Sequence, residues 1–417
     1  MPLSIPSSPP LILTPLIRHP AAPRIPAQVL ALLRKSCEKL IRSDTTFSVT
    51  FSALLCPAGK NFLWTLKPYW WEVSPGQWEH RDGQRNPYCD QPQGQSQLQK
   101  LSLAISDLTL GSVYLPDISQ KCRLRAEELL RVFFVDPETR MDPRVMYAQT
   151  NPGQVERGGD RAFIIAPMTT SPLRRVILLP PYSLQSREGD TGEMPLPPPR
   201  HPIAAPPVHP PALNTALREW FMEHVDWMES SPQGAEAKGY GNNITIWYHA
   251  VLATHRAHLY PTKSVALAHA AFSELQLAHP APPRFFAREL SRTRPRHYVL
   301  FTLEPLFLLA TQTAHPDFSA SYPGSTQPEL DQVWGERTRL PQWVVAYLAE
   351  LVSFAKTVQP GKIETTLEGS GRYEARLAWF ERMLDRWAGR KVGLAQPKGE
   401  GWSKGWDDHA RIMWEMI

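Results

Sequence analysis

No run of about 18 or more apolar residues occurs in this chain, so no segment is expected to cross a bilayer as a helix. Cysteine is scarce, with four in 417 residues at Cys37, Cys56, Cys89 and Cys122. No two of them form a Cys-x-x-Cys pair, which excludes the common structural-zinc patterns. Their spacing leaves one or two disulfides and four buried thiols equally open. No sequence repeat of fixed period appears, which speaks against a solenoid. Acidic residues are scattered without a standout pair, so the two-carboxylate arrangement of glycoside hydrolases is not indicated. The apolar patch Leu11–Ile17 lacks a basic leader and a small-residue cleavage site, and it is not read as a secretory signal.

The composition that remains is that of a globular protein. Hydrophobic residues make up 42% and charged residues 20%, both ordinary values. The net charge of +5 and pI of about 9.0 suit a polyanionic partner, either nucleic acid or an acidic polysaccharide, without choosing between them. Proline is in excess: 43 residues, about twice the usual share of roughly 5%. Residues 184–212 hold nine of the prolines from Pro195 to Pro211. That density forbids helix and favours extended polyproline geometry. The segment reads as a surface-loop insertion, with docking of an SH3-like or WW-like partner the less favoured reading. The expected organisation is a Pro-rich segment over 1–26, one domain over 27–390 carrying the insertion, and an extension over 391–417.

Apolar spacing is helical almost throughout. Helices are predicted over Ala27–Ser43, Gln97–Leu110, Arg123–Val135, Leu213–Met228, Trp247–Leu259, Lys263–Ala278, Leu303–Thr313, Gln342–Lys356 and Tyr373–Ala388. Strand-like alternation is best over Thr46–Leu54. Many helices without a sheet make the chain mostly α and leave a bundle, a solenoid or a toroid of hairpins open.

Five stretches carry more than fold information. They are Lys67-Pro68-Tyr69-Trp70-Trp71 with Arg81-Asp82-Gly83-Gln84-Arg85-Asn86-Pro87; Phe134–Met141 with Tyr147-Ala148-Gln149 and Pro152-Gly153; Trp227–Gly234; Asn242-Asn243-Ile244-Thr245-Ile246-Trp247-Tyr248-His249; and Arg288-Glu289-Leu290-Ser291-Arg292-Thr293 with Tyr298. In this order, over residues 48 to about 310, they resemble the alginate-lyase-type polysaccharide lyases. The resemblance implies an all-α fold, an incomplete (α/α) toroid of helical hairpins with a cleft. It also implies β-elimination at a uronic acid in an acidic polysaccharide, no cofactor, a secreted location and a monomer.

β-Elimination needs a group to neutralise the uronate carboxylate, a base for the C5 proton and an acid for the leaving O4. The resemblance assigns Tyr298 as acid and base, with Arg292 supporting it and the carboxylate. Asn242 and Asn243 are then the amide donors, although two such residues also commonly cap a helix. Tyr69, Trp70, Trp71, Tyr147, Gln149, His297 and Trp247 would contact substrate, with core packing the competing role for the aromatics. One position departs from the family. Ile244 stands where the family carries His, and it cannot hydrogen-bond or move a proton. This leaves a second reading, a lyase-fold protein that binds polyuronate without cleaving it. His249 lies about 140° further round a helix and is not assumed to substitute. Asn243-Ile244-Thr245 is also an N-glycosylation sequon. His255 and His258 are one turn apart, and His201 and His209 lie in the Pro-rich loop, but no acidic or Cys partner stands at a ligand spacing; no metal is expected. Nucleic-acid binding rests only on the pI and the Arg288–Arg296 run, without a binding motif, and is not expected.

Overall fold

Helices form where the apolar stripe, a workable start and a stop coincide. In the computed structural model, which describes residues 27–90, 94–150, 210–259, 270–275, 281–313, 342–361, 364 and 372–387, α1 spans Ala27–Arg42. It buries Leu33 and Cys37 along one face. Helices α2 (Gly94–Tyr114) and α3 (Ser119–Phe134) form a hairpin against it. Helix α4 (Pro210–Ser230) opens on two prolines, tolerated there because first-turn N–H groups have no intrahelical partner. Its Trp220 and Phe221 meet Phe134 at ring distances of 4.7 and 5.8 Å.

Short α5 (Pro232–Gly239) starts at a Ser231 cap, whose side chain accepts from Gly234 N at 3.0 Å. Next come α6 (Asn243–Leu259), α7 (Ala287–Leu290), α8 (Pro295–Thr313), α9 (Gln342–Ala355) and α10 (Arg372–Trp387). Helix α6 lies along α8, and α8 packs in turn on α9 and α10. Phe307 and Phe380 seal the second contact at 4.5 Å. One continuous apolar core runs from Leu33 to Leu384. The mostly helical architecture matches the expectation, and the structure corrects several boundaries. Helix α6 begins four residues before the predicted Trp247, and α8 begins eight before Leu303. Of predicted Lys263–Ala278, residues 270–275 are described and 270–275 are helical.

The predicted strand over Thr46–Leu54 is absent. Val49–Phe51 is a 3-10 turn instead, because the Ser48 hydroxyl accepts Thr50 N at 3.0 Å and offers the backbone a local partner. Strands occur where none was predicted. β1 (Trp64–Leu66) pairs in parallel with β4 (Tyr147–Thr150), and β2 (Trp70–Ser74) pairs with β3 (Gln77–His80) as an antiparallel hairpin. At three to five residues each they fall below what period-2 reading can resolve. The segments 1–26 and 391–417 lie outside the described residues, as does 184–212 except for its last three residues at the start of α4. Among the described residues no helix is long and apolar enough to cross a membrane.

Candidate active site

The β2–β3 hairpin presents the aromatic segment. Trp70 pairs with His80 across the strands, ring to ring at 5.8 Å, and Tyr69 meets the same imidazole edge-on at 6.3 Å. Asn86 fastens the segment, donating its side-chain N–H to Trp70 O at 2.8 Å and its backbone N–H to Pro68 O at 2.7 Å. Trp71 is turned the other way and donates its indole N–H to Gln84 O at 2.8 Å. Arg81–Gln84 is a tight turn closed by Gln84 N to Arg81 O at 3.1 Å. Gly83 at φ +74° takes the left-handed position that a side chain would strain. The turn aims Asp82 across the molecule.

Asp82 meets the α7–α8 connection. Arg292 donates to Asp82 Oδ1 at 2.5 Å, and Thr293 donates its backbone N–H and hydroxyl to Oδ2 at 3.2 and 2.8 Å. Burial pushes the Asp82 carboxyl up, but these donors outweigh it and hold it below the usual carboxylate range. The same Arg292 nitrogen donates to Tyr298 Oη at 2.8 Å, and its guanidinium carbon lies 4.1 Å from that ring's centre. Tyr298 Oη reaches Tyr69 Oη at 3.5 Å. Burial and the neighbouring Tyr69 raise the Tyr298 pKa, and Arg292 opposes both. In the resting site Tyr298 therefore holds its proton, and Arg292 is the group that stabilises its loss.

Asn242 and Asn243 divide two roles. Asn242 Oδ1 accepts Ile244 N at 2.9 Å and caps α6. Asn243 donates its backbone N–H and its side-chain amide to Glu289 Oε1 at 2.9 and 3.2 Å. One amide hydrogen of Asn243 remains beyond that bond. Glu289 is 1% exposed, and burial raises its carboxyl pKa against the pull of Asn243. Asn243 is itself 4% exposed, so its sequon sits where the folded chain closes it to glycosylation.

Ile244 is 1% exposed and belongs to the core. An imidazole there would be a buried polar ring beside Asn243. Ile244→His is expected to cost about 2 kcal/mol or more for the buried polar ring, which thermal melts check.

The remaining predicted residues separate. Trp247 is 1% exposed, and its role is legible from α8. Pro305 inside that helix has no N–H to give Phe301 O, its partner four residues back. Trp247 Nε1–H donates to that carbonyl at 3.0 Å. The predicted substrate contact at Trp247 is thus a core packing position. His297 stacks on Phe301 and meets Tyr298 edge-on at 5.1 Å. Burial, with the nearby Arg294, Arg376 and Arg292, pushes it down to about 3, so it stays neutral at ordinary pH. Tyr147 packs edge-on against Phe62 at 5.0 Å. Gln149 takes φ +53° in β4 and donates its N–H to Thr65 Oγ1 at 2.7 Å, a strained backbone of the kind found near functional sites. His249 is buried, 3.9 Å from Glu274. The basic run is committed internally: Arg288 to Tyr240 O, Arg292 to Asp82, and Arg296 to Val358 O at 2.9 Å. Among the described residues no group of three or more His, Cys, Asp or Glu converges as metal ligands do.

Four contributors were missed by the sequence reading: Asp82, Glu289, His80 and Glu364. The first two lie inside the quoted motifs, but only the fold supplies their partners. Glu364 lies outside every motif. It is 3% exposed and accepts His297 N at 2.7 Å, Arg296 N at 3.3 Å and Gly361 N at 2.7 Å. A carboxylate is well placed at the start of a helix, and here it caps α8, the helix carrying Tyr298. The backbone at Gly361 passes so close that an added Cβ would lie 2.2 Å from Thr293 O. Glu364→Ala is expected to lower stability by about 1–2 kcal/mol and to lower kcat more than it raises KM, with Glu364→Gln milder. Melts and steady-state kinetics check it.

The family model for alginate lyase matches residues 57–187 and 203–325, more than half of the chain. The chain belongs to the alginate lyase family. Among solved structures, an alginate lyase from Bacteroides ovatus is similar at 19% identity and a TM-score of 0.62, covering 93% of this chain and 92% of that one. That likeness establishes the fold, a mostly helical, toroid-like alginate lyase architecture. No curated protein matches. The two matched stretches hold Tyr69, Asp82, Asn243, Arg292 and Tyr298, and Glu364 falls beyond them.

Proposed function

We propose that this alginate lyase family member cleaves a uronate-containing polysaccharide, alginate-like or glucuronan-like, by β-elimination. The observation that carries the reading is Arg292, held by Asp82 while donating to Tyr298, with Tyr69 at the far side of the phenol. The uronate carboxylate meets Arg292 and the remaining Asn243 N–H, which take up charge as it spreads from C5. Tyr298, cycling between phenol and an Arg292-stabilised phenolate, removes the C5 proton and returns it to O4 as the glycosidic bond breaks. A C4=C5 double bond remains, and water takes no part. Tyr69 and Trp70 supply faces on which sugar rings stack, and exposed His80 stands beside both. The reading takes the protein to be secreted and to work as a monomer.

One observation favours a second reading: Ile244 leaves the family's His position apolar and buried. On that reading the cleft binds polyuronate and does not cut it. The test is absorbance in the unsaturated-uronate band while the purified full chain acts on alginate, glucuronan and related polymers. Rising absorbance on one of them supports elimination. A flat trace with measurable polymer binding gives the second reading, and neither signal overturns both.

A further inference from the structure

Two of the four cysteines meet inside the molecule, far in sequence from one another and outside the cleft. Cys37 on α1 and Cys122 on α3 are both 0% exposed, and both sulfurs press on the backbone of α2 at Gly111. A Cβ at Gly111 would lie 2.5 Å from Cys37 Sγ and 2.9 Å from Cys122 Sγ. Glycine is therefore what leaves room for the two sulfurs to share one space. The two thiols thus face one another at this point, and Cys37 Sγ donates its hydrogen to Asp107 O at 3.1 Å. Cys56 and Cys89 have separate surroundings. Cys89 donates to Lys67 O at 3.2 Å, and Cys56 opens a turn closed by Gly59 N to Cys56 O at 3.0 Å. All four are free thiols here.

We propose that Cys37 and Cys122 form a disulfide when the chain folds under oxidising conditions, joining α1 to α3 across Gly111. The exchange balances with a small-molecule disulfide, such as oxidised glutathione, as oxidant. The Cys122 thiolate attacks one of its sulfurs and releases one thiolate. The Cys37 thiolate then attacks Cys122 Sγ in the mixed disulfide and releases the second. Two protein thiols are oxidised, one small disulfide is reduced, and the two protons pass to solvent. The balance is the same whichever of the two thiolates attacks first. Since neither sulfur is exposed in the folded chain, the exchange belongs to the stage before α1 docks. The bond closes the long loop from 37 to 122, where a cross-link restricts the unfolded chain most. It stands apart from the reading of the cleft and holds whichever way that reading falls.

The test refolds the full chain in a glutathione redox buffer or with a phosphine reductant, alkylates it in denaturant and digests it without reduction. The expected result is a Cys37–Cys122 linked peptide, lighter by two hydrogens, with Cys56 and Cys89 alkylated. The oxidised protein should melt about 5 °C above the reduced one. The Cys56→Ala/Cys89→Ala variant should keep that difference, and it keeps the test decisive where Cys37→Ser or Cys122→Ser fails to fold. Alkylation of all four cysteines after oxidative refolding, or linkage through Cys56 or Cys89 instead, overturns the proposal.

Discussion

Tyr298→Phe is expected to reduce kcat for elimination by at least about 10²-fold while the chain stays folded. The ring is buried and keeps its packing; only the hydroxyl, with its bonds to Arg292 and Tyr69, is lost. Polymer binding should survive, since the hydroxyl acts on the proton and not on affinity. In the native protein the rate should climb as pH rises through neutrality, because the reactive phenolate belongs to a group whose pKa is raised. Steady-state kinetics on the two proteins across pH check both points. A variant with the native rate removes Tyr298 from the mechanism.

Arg292→Ala should be as damaging by a different route. The guanidinium does two jobs at once, anchoring Asp82 and making the phenolate of Tyr298 affordable. Its removal leaves a part-buried carboxylate with only the Thr293 donors and leaves the phenolate without a cation. A loss of about 10²–10³ in kcat/KM is expected. Stability should fall by about 1–3 kcal/mol, less than for a fully buried pair because both groups keep some solvent. Arg292→Lys should recover stability better than rate, since an ammonium cannot reach Asp82 and Tyr298 in the same fork geometry. Activity equal to the native protein in Arg292→Ala would leave the carboxylate to Asn243 and sink the assigned role.

Much of this site could be read along the chain, and the limits have physical causes. Arg292 and Tyr298 are six residues apart, a local spacing that survives in sequence as a motif. The ion pair to Asp82 spans 210 positions, and nothing in either segment names its partner. The two asparagines were open between capping and catalysis because side-chain amides suit both. The fold gives the cap to Asn242 and turns Asn243 toward Glu289. Trp247 was misread for a related reason: an aromatic beside a signature suggests a cleft. Its real partner is a carbonyl freed by a proline 58 positions later, at 305. The helical class was legible from apolar spacing, whereas the short strands and the Ser48 turn were not. In such short pieces individual side-chain hydrogen bonds decide the conformation.

The cap that Glu364 places on α8 bears on how this protein can be cut or inherited. Tyr298, the proposed proton carrier, sits on a helix whose first turn is held by a side chain contributed after the family model's match has ended. A fragment trimmed to that match would retain each named site residue and lose the clasp that sets their angle. Glu364 is thus no removable appendage. A proteolytic nick between α8 and Glu364 that freed the clasp is expected to lower the proposed activity from a distance, leaving the site intact in composition and loosened in aim.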